Sequence, residues 1–127
     1  MQEISDIFAA DGPLSNAIDG YTPRPAQQEM AIAVSAALAS GGRLLVEAGT
    51  GTGKTFAYLV PALLSGIRIV ISTGTRNLQD QLYNKDMPEL SRALGRPAGT
   101  GRDFRSSRAR GNWPYRHGRE LVAAGQP

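Results

Sequence analysis

The chain has 127 residues, a formal net charge of +3, 41% hydrophobic and 6% aromatic residues, and no cysteine. That length suits one domain with an apolar core, and its composition is that of a folded chain rather than a disordered one. The lack of cysteine excludes disulfides, thiolate catalysis and cysteine-ligated metal or iron–sulfur centres in these residues. No apolar run reaches the roughly 18 residues of a membrane span, and the acidic start from Met1 to Asp6 is unlike a secretory signal, so the cytoplasm is the expected location.

In chain order, Ile4, Ile7 and Phe8 recur at helical spacing and predict a short amphipathic helix before Gly12-Pro13. Leu14 to Ile18 reads as a further turn, closed by Asp19-Gly20. Pro23 and Pro25 keep the next entry extended, and Pro25 suits the first turn of a helix. Met30, Val34, Ala37 and Leu38 are predicted on its inner face, with Gly41-Gly42 as its stop. Leu44-Leu45-Val46 predicts a strand, Phe56 to Leu64 a helix, and Ile67 to Thr73 a second strand. That order implies a right-handed parallel crossover with its ligand edge at the C-terminal ends of the strands. After Gly74-Thr75 a helix is expected with Leu78 and Leu82 inward, and Asp86 with Glu89 three residues on resembles a helix start. From about Arg96 the apolar period is lost, and the remainder reads as loop or disorder.

Between the first predicted strand and its helix lies Glu47-Ala48-Gly49-Thr50-Gly51-Thr52-Gly53-Lys54-Thr55. A glycine loop between strand and helix, ending in Lys-Thr, is the pattern of a phosphate-binding loop. Gly49, Gly51 and Gly53 let main-chain amides turn inward around a polyphosphate. The helix start adds unpaired N–H groups and the positive end of its dipole. On this reading Ala48 to Thr55 hold the nucleotide, Lys54 reaches the β- and γ-phosphates as the catalytic lysine, and the Thr55 hydroxyl holds Mg²⁺. The usual pattern begins with Gly where Ala48 stands here. A glycine-rich turn without ligand is the architectural alternative.

Three blocks occur in order: Tyr21-x-Pro23-Arg24-Pro25-x-Gln27, Glu47 to Thr55, and Ile69 to Leu82 with Ser72-Thr73-Gly74-Thr75 inside it. Together they resemble the start of the first motor domain of DinG/XPD-type superfamily 2 DNA helicases, nearest the bacterial YoaA-like branch, over roughly residues 1–95. The resemblance implies an α/β fold: part of a RecA-like P-loop NTPase motor domain, with a parallel sheet and flanking helices. It implies ATP and Mg²⁺ as cofactors and single-stranded DNA as partner. Gln27 would select ATP, because a side-chain amide offers a donor and an acceptor that fit the N6/N7 edge of adenine. Arg24 would support that glutamine or the phosphates and Tyr21 would stack on the base, although both also suit capping and packing of the helix entry. Thr73, Thr75 and Gln79 are the positions implied to touch DNA, where hydroxyls and amides bind phosphates without reading sequence. A helix cap and a polar helix face are the alternatives there.

The expected division is an N-terminal helical segment over residues 1–20, the N-terminal part of the ATP-binding domain over 21–95, and an Arg/Gly-rich tail over 96–127 that departs from the family pattern. The resemblance also implies an Asp-Glu-Ala-His motif and a second motor domain. Neither occurs in these residues, so the chain alone is expected to hydrolyse little or no ATP. The family's iron–sulfur segment is echoed by Arg108 to Tyr115 without its cysteine, and the shift in composition would fit a reading-frame change. Residues 91–127 hold eight of the fourteen Lys and Arg but two of the eleven Asp and Glu. The Arg, Trp and Tyr mix over 102–119 is alternatively a single-strand-binding surface, and His117, alone, suggests no metal site. The rival readings are a P-loop kinase or transferase, which leaves Gln27 and the Ser72–Thr75 block unexplained, and a non-enzymatic basic nucleic-acid-binding module.

Overall fold

Prolines open the second and third helices and a glycine closes the third in the computed structural model, which describes residues 2–49, 53–95, 104–106 and 119–124. Helix α1 (Gln2–Ile7) carries Ile4 and Ile7 inward, followed by Phe8, all three buried. The turn after it is tight enough that a side chain on Gly12 would run into the carbonyls of Asp6 and Ile7. Helix α2 (Pro13–Ala17) follows at once, with Pro13 in its first turn and Leu14 fully buried. Helix α3 (Pro25–Ser40) also starts on proline, where a missing N–H is harmless, and closes on Gly41 at φ 70°, whose N–H reaches the Ala37 carbonyl. The predicted side of α3 faces inward, but Gln27 and Ala31 lie at its buried centre and Met30, Val34, Ala37 and Leu38 are half-buried.

Helix α4 (Lys54–Ser65) packs chiefly against α3 and buries Ala57, Leu59, Val60 and Pro61. Each of the two helices brings a fully buried alanine, Ala31 and Ala57; small side chains allow a short distance between helix axes. The core joins these residues to Ile4, Ile7, Phe8, Leu14, Leu82, Met87 and Leu90.

The predicted second strand is present as β1 (Arg68–Thr73), but its expected parallel partner is not a strand. Residues 42–49 form no regular structure, and Leu45 is 97% exposed. No parallel sheet occurs among the described residues. Instead β1 pairs antiparallel with β3 (Arg119–Ala124), Val70 opposite Val122, and β3 pairs antiparallel with β2 (Phe104–Ser106), in the order β1-β3-β2. Two short strands therefore stand where loop or disorder was expected. The physical reason is coverage: parallel strands are stable when helices cover both faces, whereas among the described residues Ile71 packs on the core and Val70 is 57% exposed. A strand covered on one face still needs its N–H and C=O groups paired, and an antiparallel partner does this.

A second correction concerns the last helices. Helix α5 (Arg76–Gln81), a π-helical turn (Leu82–Asp86) and helix α6 (Met87–Leu94) run on without a break. Asp86 is therefore no cap: it has helical backbone angles and caps nothing with its side chain. Pro88 explains the widened turn, because it lacks the N–H that would serve the Asn84 carbonyl and its ring crowds that group. The ladder shifts just before it, and the Met87 N–H bonds the Leu82 carbonyl five residues back. Leu82 is buried as predicted, but Leu78 is 51% exposed and Gln79 is buried in its place.

Candidate functional site

Helix α4 begins directly after Gly53, which has φ 77° and ψ 33°. This left-handed conformation suits glycine, and a side chain at that position would overlap the Gln27 amide. Gln27 lies in the first turn of α3 and is 3% exposed. Its Nε2 donates to the Gly53 carbonyl at 3.1 Å, and its Oε1 lies 3.3 Å from the Tyr21 hydroxyl. That hydroxyl also lies 3.1 Å from the Phe8 carbonyl. Phe8, Tyr21, Gln27 and Gly53 thus form one polar chain from the end of the first helical segment to the last glycine of the loop.

Beside this chain is a cavity of about 190 Å³ lined by residues 18–22 with Arg24, Gln27, Gly53 and Phe56. It brings together Tyr21, Arg24, Gln27 and Gly53 from two of the three sequence blocks. Burial raises the Tyr21 phenol above its ordinary value, an effect that the nearby Arg24 charge opposes. Phe56 and Ile18 were missed in the sequence; an aromatic residue just past Lys54-Thr55 was the available clue to Phe56.

Lys54 is exposed, and its ammonium donates to the Ala48 carbonyl at 2.8 Å. Thr50, Gly51 and Thr52 lie outside the described residues; before them Gly49 is exposed and Ala48 half-buried. Thr55 is half-buried and hydrogen-bonds the Tyr58 phenol. Burial is the main reason the Tyr58 phenol is raised; the Thr55 bond lowers it and the Asp86 charge raises it further. The loop-edge lysine, the left-handed Gly53 and an amide with spare bonding capacity fit a nucleotide with its Mg²⁺. No group of three or more His, Cys, Asp or Glu that could hold a metal by itself occurs among the described residues. An iron–sulfur cluster does not fit this chain, which has no cysteine to ligate it.

The block after β1 has a different character. Thr73 is buried and its hydroxyl donates to the Thr75 carbonyl at 3.1 Å. The Thr75 hydroxyl accepts from the Leu78 N–H at 3.2 Å and so caps α5. Gln79 is 2% exposed, while Thr75 itself is exposed. The capping alternative is thus realised at Thr75. The Arg, Trp and Tyr mix over 102–119 and His117 lie almost wholly outside the described residues, as does the echo at Arg108 to Tyr115. No helix among the described residues is long and apolar enough to cross a membrane.

The chain is 55% identical over 91 residues to the ATP-dependent DNA helicase YoaA of Escherichia coli, an alignment covering 72% of this chain and 14% of that protein. It is 54% identical over 92 residues to the protein of the same name from Haemophilus influenzae, with the same coverage of each. It is 49% identical over 79 residues to the ATP-dependent helicase DinG of Mycobacterium tuberculosis, covering 59% of this chain and 12% of that protein. The chain therefore spans about a seventh of the length of these two YoaA proteins. No solved structure matches it. A family model described as DEAD/DEAH box helicase matches residues 24–99, more than half of the chain and a span that includes Gln27, the glycine loop and Thr73 to Gln79. The chain belongs to the DEAD/DEAH box helicase family.

Proposed function

We propose that this chain is the ATP-binding part of a cytoplasmic DNA helicase motor with a RecA-like core, in which ATP hydrolysis drives movement along a single DNA strand and opening of the duplex. The observation that carries this reading is the hydrogen bond from Gln27 to Gly53. It sets an amide able to recognise adenine against the last glycine of a phosphate loop.

Mg·ATP, when bound, supplies the phosphoanhydride bond whose cleavage powers the motor. The amides from Ala48 and Gly49 through Thr50, Gly51, Thr52 and Gly53 would cradle the phosphates, and the start of α4 would add its dipole. Lys54 would exchange the Ala48 carbonyl for the β- and γ-phosphates, Thr55 would hold Mg²⁺ through its hydroxyl, and Arg24 flanks the cavity as a positive charge. On the DNA side, Thr75 would meet a phosphate at the exposed start of α5, while the buried Thr73 holds that turn through its hydroxyl on the Thr75 carbonyl and Gln79 lies buried one turn on. The Asp-Glu-Ala-His segment is absent from these residues, so hydrolysis by the chain alone is at most slight.

Calorimetry tests the reading. The chain should take up Mg·ATP, and Lys54→Ala should weaken uptake by at least about ten-fold, as expected for loss of a charge-assisted phosphate contact. No uptake by a folded chain, or equal uptake by the variant, refutes it.

A further inference from the structure

We infer that Phe56 is the stacking platform for the nucleotide base, a contact that neither the glycine loop nor Gln27 supplies. This role rests on the reading of the chain as an ATP-binding motor and adds a residue to the same site.

Phe56 is the third residue of α4, directly after Lys54 and Thr55. From there it lines the cavity of about 190 Å³ together with Gln27 and Gly53. Its helical neighbours Ala57, Leu59 and Val60 are fully buried, whereas Phe56 is half-buried. Part of an aromatic residue is thus left uncovered beside the loop, and apolar surface of that kind gains free energy when another apolar face covers it. Ile18, also half-buried, adds aliphatic surface to the same cavity.

The two ends of a nucleotide make different demands. A triphosphate asks for amides and a lysine, which the loop and the start of α4 supply. A purine carries its donors and acceptors on its edge and a π face above and below. Gln27 can read the edge but offers the face nothing. An aromatic ring covers the face whichever base it is. Because Phe56 shares the first turn of α4 with Lys54 and Thr55, one helix end would fix the base relative to the phosphates. Tyr21 lines the cavity too, but its hydroxyl is engaged 3.1 Å from the Phe8 carbonyl and 3.3 Å from Gln27 Oε1. Phe56 has no polar group, so packing and stacking are the roles open to it.

Calorimetry on the full chain, with Mg·ATP and with Mg·tripolyphosphate, separates base binding from phosphate binding. Phe56→Leu keeps apolar bulk and removes the ring. It should weaken Mg·ATP about ten-fold and leave Mg·tripolyphosphate unchanged, while Phe56→Tyr should bind both as the unaltered chain does. Unchanged ATP affinity in Phe56→Leu overturns the assignment and leaves the nucleotide site standing. An equal loss for both ligands also overturns it, since the loop rather than the base contact would then be disturbed. No uptake of Mg·ATP by the unaltered chain overturns the reading beneath, and the role of Phe56 with it. Should Phe56→Leu fail to fold, proton NMR on the unaltered chain decides. Nuclear Overhauser contacts between the Phe56 ring and the base protons of bound ATP support the assignment, and their absence overturns it.

Discussion

Gln27 Nε2 and the Gly53 carbonyl meet at 3.1 Å across 26 residues of sequence. The contact ties the first turn of α3 to the residue on which α4 begins. A disturbance at either end is felt in the glycine loop.

Gly53→Ala tests that coupling. A side chain in left-handed backbone costs about 1–2 kcal/mol, and here it would also displace the Gln27 amide. The variant should lose at least that much stability in urea titration and bind Mg·ATP weakly. Unchanged stability and binding would show that Gln27 does not depend on this contact.

Leu59→Ala should cost about 2–5 kcal/mol, because Leu59 is fully buried in α4. Leu45→Ala, at a residue 97% exposed, should stay within about 0.5 kcal/mol. Denaturant midpoints of the two variants measure the contrast directly. Equal effects would mean that Leu45 is covered in solution.

Asp86 gives a dependence on pH. Burial raises its carboxyl above the ordinary 3.8, with Lys85 lowering it and Glu89 raising it. A raised carboxyl binds its proton more tightly when folded, so its contribution is most favourable below the unfolded value and is lost as pH rises through the folded value. Asp86→Asn should therefore stabilise the chain near pH 7, and the gain should shrink as pH falls toward 4. Thermal melts at several pH values check this, and a gain independent of pH would count against it.

Thr75→Ala removes the hydroxyl that accepts from the Leu78 N–H, and a cap of this type is worth about 1 kcal/mol. Thr75→Ser should retain most of it. Binding of a single-stranded oligonucleotide, followed by fluorescence anisotropy, separates a cap from a contact. A cap alone leaves anisotropy unchanged in Thr75→Ser and Thr75→Ala alike.

Much of the helical framework was legible because its signals are local. Pro13 and Pro25 mark helix starts and Gly41 a helix end through backbone angles and missing donors confined to a few residues. Asp86 misled because Asp with Glu three residues later is a capping pattern only where a helix begins. The chain was already helical there, and the π-helical turn before Pro88 carried it through. Leu78 misled because helical spacing alone does not tell which neighbours will cover a face. In the folded chain Gln79 and Leu82 are covered and Leu78 is not.

The sequence by itself determined the helix that follows the glycines and the helix starts at Pro13 and Pro25, since each follows from residue types within one turn of the chain, whereas Gln27 was marked out by the family resemblance. Tertiary structure alone decided which groups the Gln27 amide faces, that Tyr21 joins it to Phe8, and that β1 takes β3 as an antiparallel partner. The physical reason is the range of the interactions. Backbone sterics and caps act between neighbours in sequence, whereas side-chain hydrogen bonds and strand ladders depend on which donors and acceptors packing brings within about 3 Å of each other.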